Sequence, residues 1–190
     1  MNESIDLTII TATWKRPKWL RNCCEQIQCQ SIAGLNWEHV IVSDGPDEVA
    51  EKIASDYNAR FTALPTHVGD RGASCNNRGL ELARGRYVVF FDDDNIYYPH
   101  ALCALYSSAQ EVEIGVCQTR HRDQMIPASH QEPLRFGQVD TMCLCVNTEF
   151  ARKELWPFRG GSTDWGWLER LMKHDPRIRI IPIVIGEHLT

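Results

Sequence analysis

The chain has no Cys-x-x-Cys pair, although it holds eight cysteines in 190 residues. That absence excludes the usual zinc-ribbon spacing. Cys23 and Cys24 are adjacent, and Cys143 and Cys145 alternate along an expected strand. Several of the cysteines lie in apolar runs, where a free thiol behaves as a small hydrophobe. No apolar run approaches the roughly 18–20 residues needed to span a bilayer. Nor is there a signal peptide at the N-terminus, so the expectation is a reduced, cytoplasmic protein, attached to a membrane at most at its surface. A basic stripe is missing too. The formal net charge is −5, and the clusters Lys15-Arg16 and Arg84 to Arg86 are brief, which counts against nucleic acid as a partner. Internal repeats and low-complexity linkers are likewise absent.

What remains is ordinary in bulk, with 43% apolar and 24% charged residues, and long enough for one domain with a real core. The order of elements is more telling. Leu7 to Ala12 is β-branched and reads as a first strand, ending in the polar turn Thr13 to Pro17. Pro17 suits the first turn of a helix over about Lys18 to Gln30, which places Leu20, Cys23, Cys24 and Ile27 on one face. Trp37 to Ser43 is a second strand that stops at Asp44-Gly45. A helix over about Asp47 to Tyr57 and a brief strand over Phe61 to Leu64 follow. The polar loop Thr66 to Ser74 then leads into a helix ended by Arg84-Gly85, read as a C-cap pair. Strand and helix alternate throughout this half, which predicts βαβ units and a parallel sheet. The second half predicts a helix from about Pro99 to Gln110, strands over Ile114 to Thr119, Val139 to Val146 and Ile178 to Ile185, and a helix reaching about His174. Between them lies a polar stretch, Arg120 to Gly137.

One stretch carries the chemistry. Tyr87 to Phe91 reads as a strand buried on both faces, and it runs directly into Asp92-Asp93-Asp94. Acids ending a buried strand must lie at the sheet's rim, where water, a cation or a ligand compensates them. In open α/β sheets that rim is also where ligands bind. Asp92 and Asp94, one residue apart, can offer oxygen ligands to a hard divalent cation. Taken alone, the triplet is equally an acidic turn, with Asp94 or Asn95 capping the next helix.

The pieces T-A-T-W-K-R-P, V-S-D-G, N-N-R-G-L-E-L-A-R-G-R-Y-V-V-F-F-D-D-D-N and G-G-S-T-D-W, in that order, resemble an inverting GT-A glycosyltransferase of the family 2 type, from about Leu7 to Leu171. The resemblance implies a single α/β GT-A (Rossmann-like) domain, its sheet mostly parallel and flanked by helices, with mixed strands in the C-terminal half. Residues 1–95 would bind the nucleotide and residues 96–190 the acceptor. It implies transfer of a sugar, with inversion, from a nucleotide-diphosphate donor (UDP favoured) to a hydroxyl of a carbohydrate or lipid-linked glycan. Mn²⁺ or Mg²⁺ would be held by Asp94 and Asp92, with Asp93 touching the ribose.

The same resemblance puts Asp44 at the base, Thr11, Thr13 and Arg16 beside the nucleotide, and Asn77 in the central N-x-G piece. Thr11 and Thr13 are alternatively plain turn residues. This chain has Asn76 where such enzymes often carry Arg; Arg71 can supply a cation from another direction, or is a solvated loop residue. Inversion needs a base within reach of the acceptor hydroxyl. Asp164 is the candidate, against a capping role that Ser162 and Thr163 can already fill. Trp165 and Trp167 beside it can stack on a sugar or belong to the core. His188 is either a further metal ligand, as a late His is in some GT-A enzymes, or an ordinary surface or core residue. Two rivals stand against this reading. A nucleotidyltransferase would show a Gly-rich first loop, which T-A-T-W-K-R-P lacks. A non-catalytic carbohydrate-binding module would have no use for D-x-D and Asp164.

Overall fold

The computed structural model describes residues 4–32, 34–128, 133–157 and 163–189, with no side chain for Thr163. The N-terminal half alternates β1 (Leu7–Thr13), α1 (Pro17–Gln28), β2 (Trp37–Ser43), α2 (Glu48–Asp56), β3 (Arg60–Ala63), α3 (Ala73–Leu82) and β4 (Tyr87–Phe90). All pairings among these strands are parallel, with Ile10 opposite both Val40 and Phe90. The C-terminal half contributes β5 (Ile96–Tyr97), α4 (Ala101–Ala109), β6 (Ile114–His121), β7 (Gln124–Ile126), β8 (Leu144–Asn147), α5 (Thr148–Ala151), α6 (Thr163–Met172) and β9 (Ile178–His188). One sheet results, in the order β3-β2-β1-β4-β8-β6-β9-β5, with β7 hydrogen-bonded to β6. Beyond β4 it is mixed: β8 is antiparallel to β4 and β6, whereas β9 runs parallel to β6. No helix among the described residues is long and apolar enough to cross a membrane.

Both faces of the sheet are covered at its centre, and β2 shows how. Ile41 packs under α1 and α2 with Leu20, Cys24 and Ile53, while Val40 and Val42 face Cys75 of α3. Strand side chains alternate between faces, so a continuous apolar run is what a doubly covered strand requires. The helices start where their caps say. Pro17 opens α1, and Asp47 accepts from the backbone N–H groups of Val49 and Ala50 to open α2. On the other face α3 lies so close to β1 that a Cβ on Gly79 would come within 2.5 Å of the Ile10 side chain.

Four sequence expectations change. Gly85 is not a left-handed cap: Ala83 ends α3, and a Cβ on Gly85 would fall 2.5 Å from the Thr8 nitrogen, so close approach to β1 demands the glycine. Neither Asp94 nor Asn95 caps α4, because β5 intervenes and His100 holds the cap position. The strand expected over Val139 to Val146 begins only at Leu144; before it, Asp140 accepts from the Met142 N–H and starts a 3-10 turn at Thr141–Cys143. Finally, β9 does not stop at Ile185 but runs on through Gly186 and Glu187 to His188, which pairs with His121. That extension carries His188 to the rim where β4 ends.

His39 of β2 is buried against Thr11, the two side chains sharing a hydrogen bond of 2.9 Å. Burial holds its imidazole pKa down at about 3, against 6.5 for the free group. The unfolded chain therefore takes up the proton first. The stability this neutral histidine contributes is complete above pH 6.5 and is lost as pH falls toward 3. His39→Gln should remove that loss. Between pH 7 and pH 5, urea denaturation should show the wild-type-minus-variant stability difference moving by ~2 kcal/mol in the variant's favour. A difference independent of pH would show that His39 titrates in the folded protein as it does in the unfolded chain.

Candidate active site

The ends of β1, β2 and β4 open onto a cleft of about 720 Å³. Asp92 and Asp94 line it from the end of β4, Asp44 from the end of β2, Asp164 from the first turn of α6, Asp140 from the 3-10 turn and His188 from the end of β9. Residues far apart in sequence thus share one solvent-filled hollow. The C-terminal half closes over the acids because Phe90 holds it there. Its ring meets Trp156 and Trp167 edge-on at 5.1 and 5.4 Å, and those two indoles stack at 4.7 Å. Trp167 is fully buried and donates to the Glu154 carbonyl, so it belongs to the core and not to a sugar platform. Trp165 is half-buried beside Phe136.

The triplet divides by side. Phe90 faces the tryptophans and Phe91 stacks on Tyr97 at 3.6 Å. Carrying that alternation one step past β4 sends Asp92 to the cleft and Asp93 inward. Asp93 is wholly buried, accepting from the Thr13 hydroxyl at 2.7 Å and facing an Arg16 nitrogen at 2.6 Å. Unlike its two neighbours, it does not line the cleft, where the ribose contact was expected. Arg16 reaches Asp94 with its other terminal nitrogen at 2.7 Å. Asp94 stays a quarter exposed and still borders the hollow.

Crowding shows in the protonation equilibria. Burial raises the Asp92 carboxyl well above its ordinary value, and the carboxylates of Asp140, Asp164, Asp94 and Asp93 push it further. Burial followed by Asp164 raises Asp140 to about 6, against the Met142 N–H and His188, which lower it. Asp93 also rises to about 6 through burial, with Thr13 and Arg16 opposing. The rim stores repulsion between like charges that a cation or a bank of donors would relieve.

Other expected site residues fall in different places. Thr11 is fully buried under α1, bonded to His39 and beside the Cys23 sulfur at 3.8 Å. It lies two residues inside the strand and is not among the residues that line the cleft. Asn77 is spent on the backbone of Trp156, accepting from its N–H at 2.8 Å and donating to its carbonyl at 3.3 Å. Its role is a clamp between α3 and the segment leading to α6. Asp44 lines the cleft but accepts from the Val68 and Gly69 N–H groups at 2.8 and 2.9 Å and pairs with His67 at 2.9 Å, so its carboxylate shapes the loop over the cleft. Arg71 borders the hollow from that loop, as do Thr13 and Arg16 from the other side. His188 faces Asp140 at 3.3 Å and stacks on His121 at 4.7 Å. The expected caps of α6 do not resolve the role of Asp164, since Ser162 lies outside the described residues.

Sequence reasoning missed Asp140, Asn76 and the Trp14–His67 stack (4.7 Å, 9° between planes), all on the cleft. An aspartate interrupting an apolar run and followed by a turn was the available signal for Asp140. Hard carboxylate oxygens with a nearby imidazole suit Mn²⁺ or Mg²⁺ chemically. In the present arrangement no three His, Cys, Asp or Glu side chains among the described residues converge tightly enough to hold an ion. The donor set fits; Arg16 and Asp140 currently engage two of its members.

If Asn77 is a clamp, Asn77→Ala strands two buried backbone groups of Trp156 and should cost about 1–3 kcal/mol. Thermal or urea unfolding would measure it. Unchanged stability would return Asn77 to the list of ligand-binding residues.

Three relatives frame this geometry. The uncharacterized glycosyltransferase YibD of Escherichia coli K12 is 32% identical over 120 residues, covering 62% of this chain and 34% of YibD. Staphylococcus aureus TarS 1–349, solved in complex with UDP-GlcNAc, superposes with a TM-score of 0.80 at 17% identity, covering 98% of this chain and 59% of TarS 1–349. The mannosyltransferase PcManGT of Pyrobaculum calidifontis, solved with GDP-Man and Mn²⁺, gives a TM-score of 0.75 at 18% identity, with 98% and 57% covered. At those identities the solved structures speak for the fold, which is the GT-A α/β sheet. The chain spans about a third of the length of the curated relatives it matches. A model described as "Glycosyl transferase family 2" matches residues 8–169, nearly the whole cleft-forming fold, and the chain belongs to that family.

Proposed function

We propose that the protein transfers a sugar from a nucleotide-diphosphate donor, UDP-linked by preference, to a hydroxyl of a carbohydrate or lipid-linked glycan, with inversion at the anomeric carbon. One observation carries this reading: Asp92, Asp94 and Asp164, some seventy residues apart at the extremes, line the same cleft. Relatives solved with UDP-GlcNAc and with GDP-Man support the donor class. The N-terminal half, with Asp44, the 67–72 loop and Arg71, binds the nucleotide. The C-terminal half, with Asp164, receives the acceptor.

Single displacement makes two demands on the chain. The bond from the anomeric carbon to the diphosphate oxygen breaks while a bond to the acceptor oxygen forms on the opposite face. Asp164 takes the acceptor hydroxyl proton as attack proceeds. It lines the same cleft as the β4 acids, which supports its service to the same ligand. Charge grows on the departing diphosphate, and Arg71, which lines the cleft, is the cationic donor that the loop supplies for it. Asp92 and Asp94, joined by His188, would hold Mn²⁺ or Mg²⁺, which when bound supplies Lewis-acid neutralisation of that charge. PcManGT, solved with Mn²⁺, supports this cation requirement.

Incubation with UDP-, GDP- and dTDP-sugars, with Mn²⁺ or with chelator, should release nucleoside diphosphate only with metal. Asp164→Asn should keep donor affinity while transfer falls about 10²- to 10⁴-fold. Turnover retained in that variant would move the base elsewhere, and no donor bound under any condition would end the enzymatic reading. Mn²⁺ affinity should also rise with pH, because the raised Asp92 carboxyl must ionise to become a ligand.

A further inference from the structure

Arg16 joins two carboxylates of opposite situation. One terminal nitrogen lies 2.6 Å from Asp93, whose side chain has no exposure, and the other lies 2.7 Å from Asp94, which is 25% exposed on the cleft. The Arg16 side chain as a whole is 43% exposed. Its backbone is held firmly. Lys15 before it is left-handed and donates to Asp47, Pro17 after it restricts its conformation, and its own carbonyl accepts from Leu20 to begin α1. The backbone is thus fixed, whereas the long side chain can pivot away from Asp94 without leaving Asp93. Asp93 has Thr13 as a second partner and needs Arg16 more, being buried.

We infer that Arg16 is a built-in counter-ion that occupies Asp94 until a divalent cation and a nucleotide diphosphate arrive together. This rests on the cation reading above. A metal arriving alone must displace the guanidinium from Asp94 and then sit close to a second positive charge. When a diphosphate arrives with the metal, its oxygens compensate both. Arg16 therefore weakens metal binding to the empty protein and couples it to nucleotide binding. Coupling of this kind is reciprocal, so the nucleotide must tighten metal binding by the same factor as the metal tightens nucleotide binding.

The test measures Mn²⁺ binding directly, by electron paramagnetic resonance of free Mn²⁺ or by calorimetry, with and without UDP. Arg16→Gln should bind Mn²⁺ alone about tenfold more tightly than the wild type, and UDP should add less. That variant strands the buried Asp93 charge and can lose stability. The double variant R16Q/D93N removes both members of the inner pair and leaves the net charge of the rim unchanged. It should still bind Mn²⁺ alone about three- to tenfold more tightly. D93N alone leaves Arg16 to Asp94 and should bind Mn²⁺ no better than the wild type. Mn²⁺ affinity equal to or below wild type in both R16Q and R16Q/D93N overturns the inference while leaving the cation reading intact. Absence of Mn²⁺ binding in every protein, with UDP present, overturns that reading and the inference with it.

Discussion

Repulsion among carboxylates at one end of the sheet is the constraint on which this structure turns. Asp92, Asp94, Asp140 and Asp164 line a single cleft, and Asp93 lies buried just behind it. Burial and mutual repulsion raise the Asp92 and Asp140 carboxyls above their ordinary values, and burial raises Asp93. A fold selected only for stability would dilute this charge. Here it is concentrated and partly compensated by Arg16, an arrangement that costs stability and favours a positively charged ligand.

The fold supplies that concentration through ordinary strand geometry. Parallel β1, β2 and β4 stop at the same edge, so whatever follows their last buried residue meets at one rim. The antiparallel β8 and the parallel β9 then bring the 3-10 turn and His188 to the same edge. The aromatic contact of Phe90 with Trp156 and Trp167 sets the approach of α6 and, with it, of Asp164. Apolar packing on one side of β4 thereby determines where an acid on a distant helix stands.

Much of this was legible in the chain. The βαβ alternation and the start of α1 at Pro17 follow from local chemistry that tertiary contacts do not override. The acids were legible as a group because a buried strand cannot end in three carboxylates without a compensating environment. Their individual directions were not. A strand apolar on both faces gives no clue to which side faces a ligand, so Thr11 and Asp93 were assigned to the nucleotide and lie in the interior. The N-x-G block, the most specific piece of the resemblance, is largely packing: Asn77 clamps Trp156, and Gly79 and Gly85 let α3 and its exit lie against β1. Asp140 escaped notice because the apolar run after it, Met142 to Val146, disguises a 3-10 turn as the start of a strand. A specific sequence motif can thus report how a site is held together more than what the site touches.

The central proposal is that the β4 acids and Asp164, which line one cleft, serve the same ligand. A crystal structure with Mn²⁺ and UDP tests it most directly, using anomalous scattering to locate the metal. The account predicts a manganese peak bonded to Asp92 or Asp94 with the diphosphate beside it, Arg16 turned away from Asp94, and Asp164 across the open space left for the sugar. Nucleotide bound outside this cleft, or a metal bound to neither acid, would contradict it.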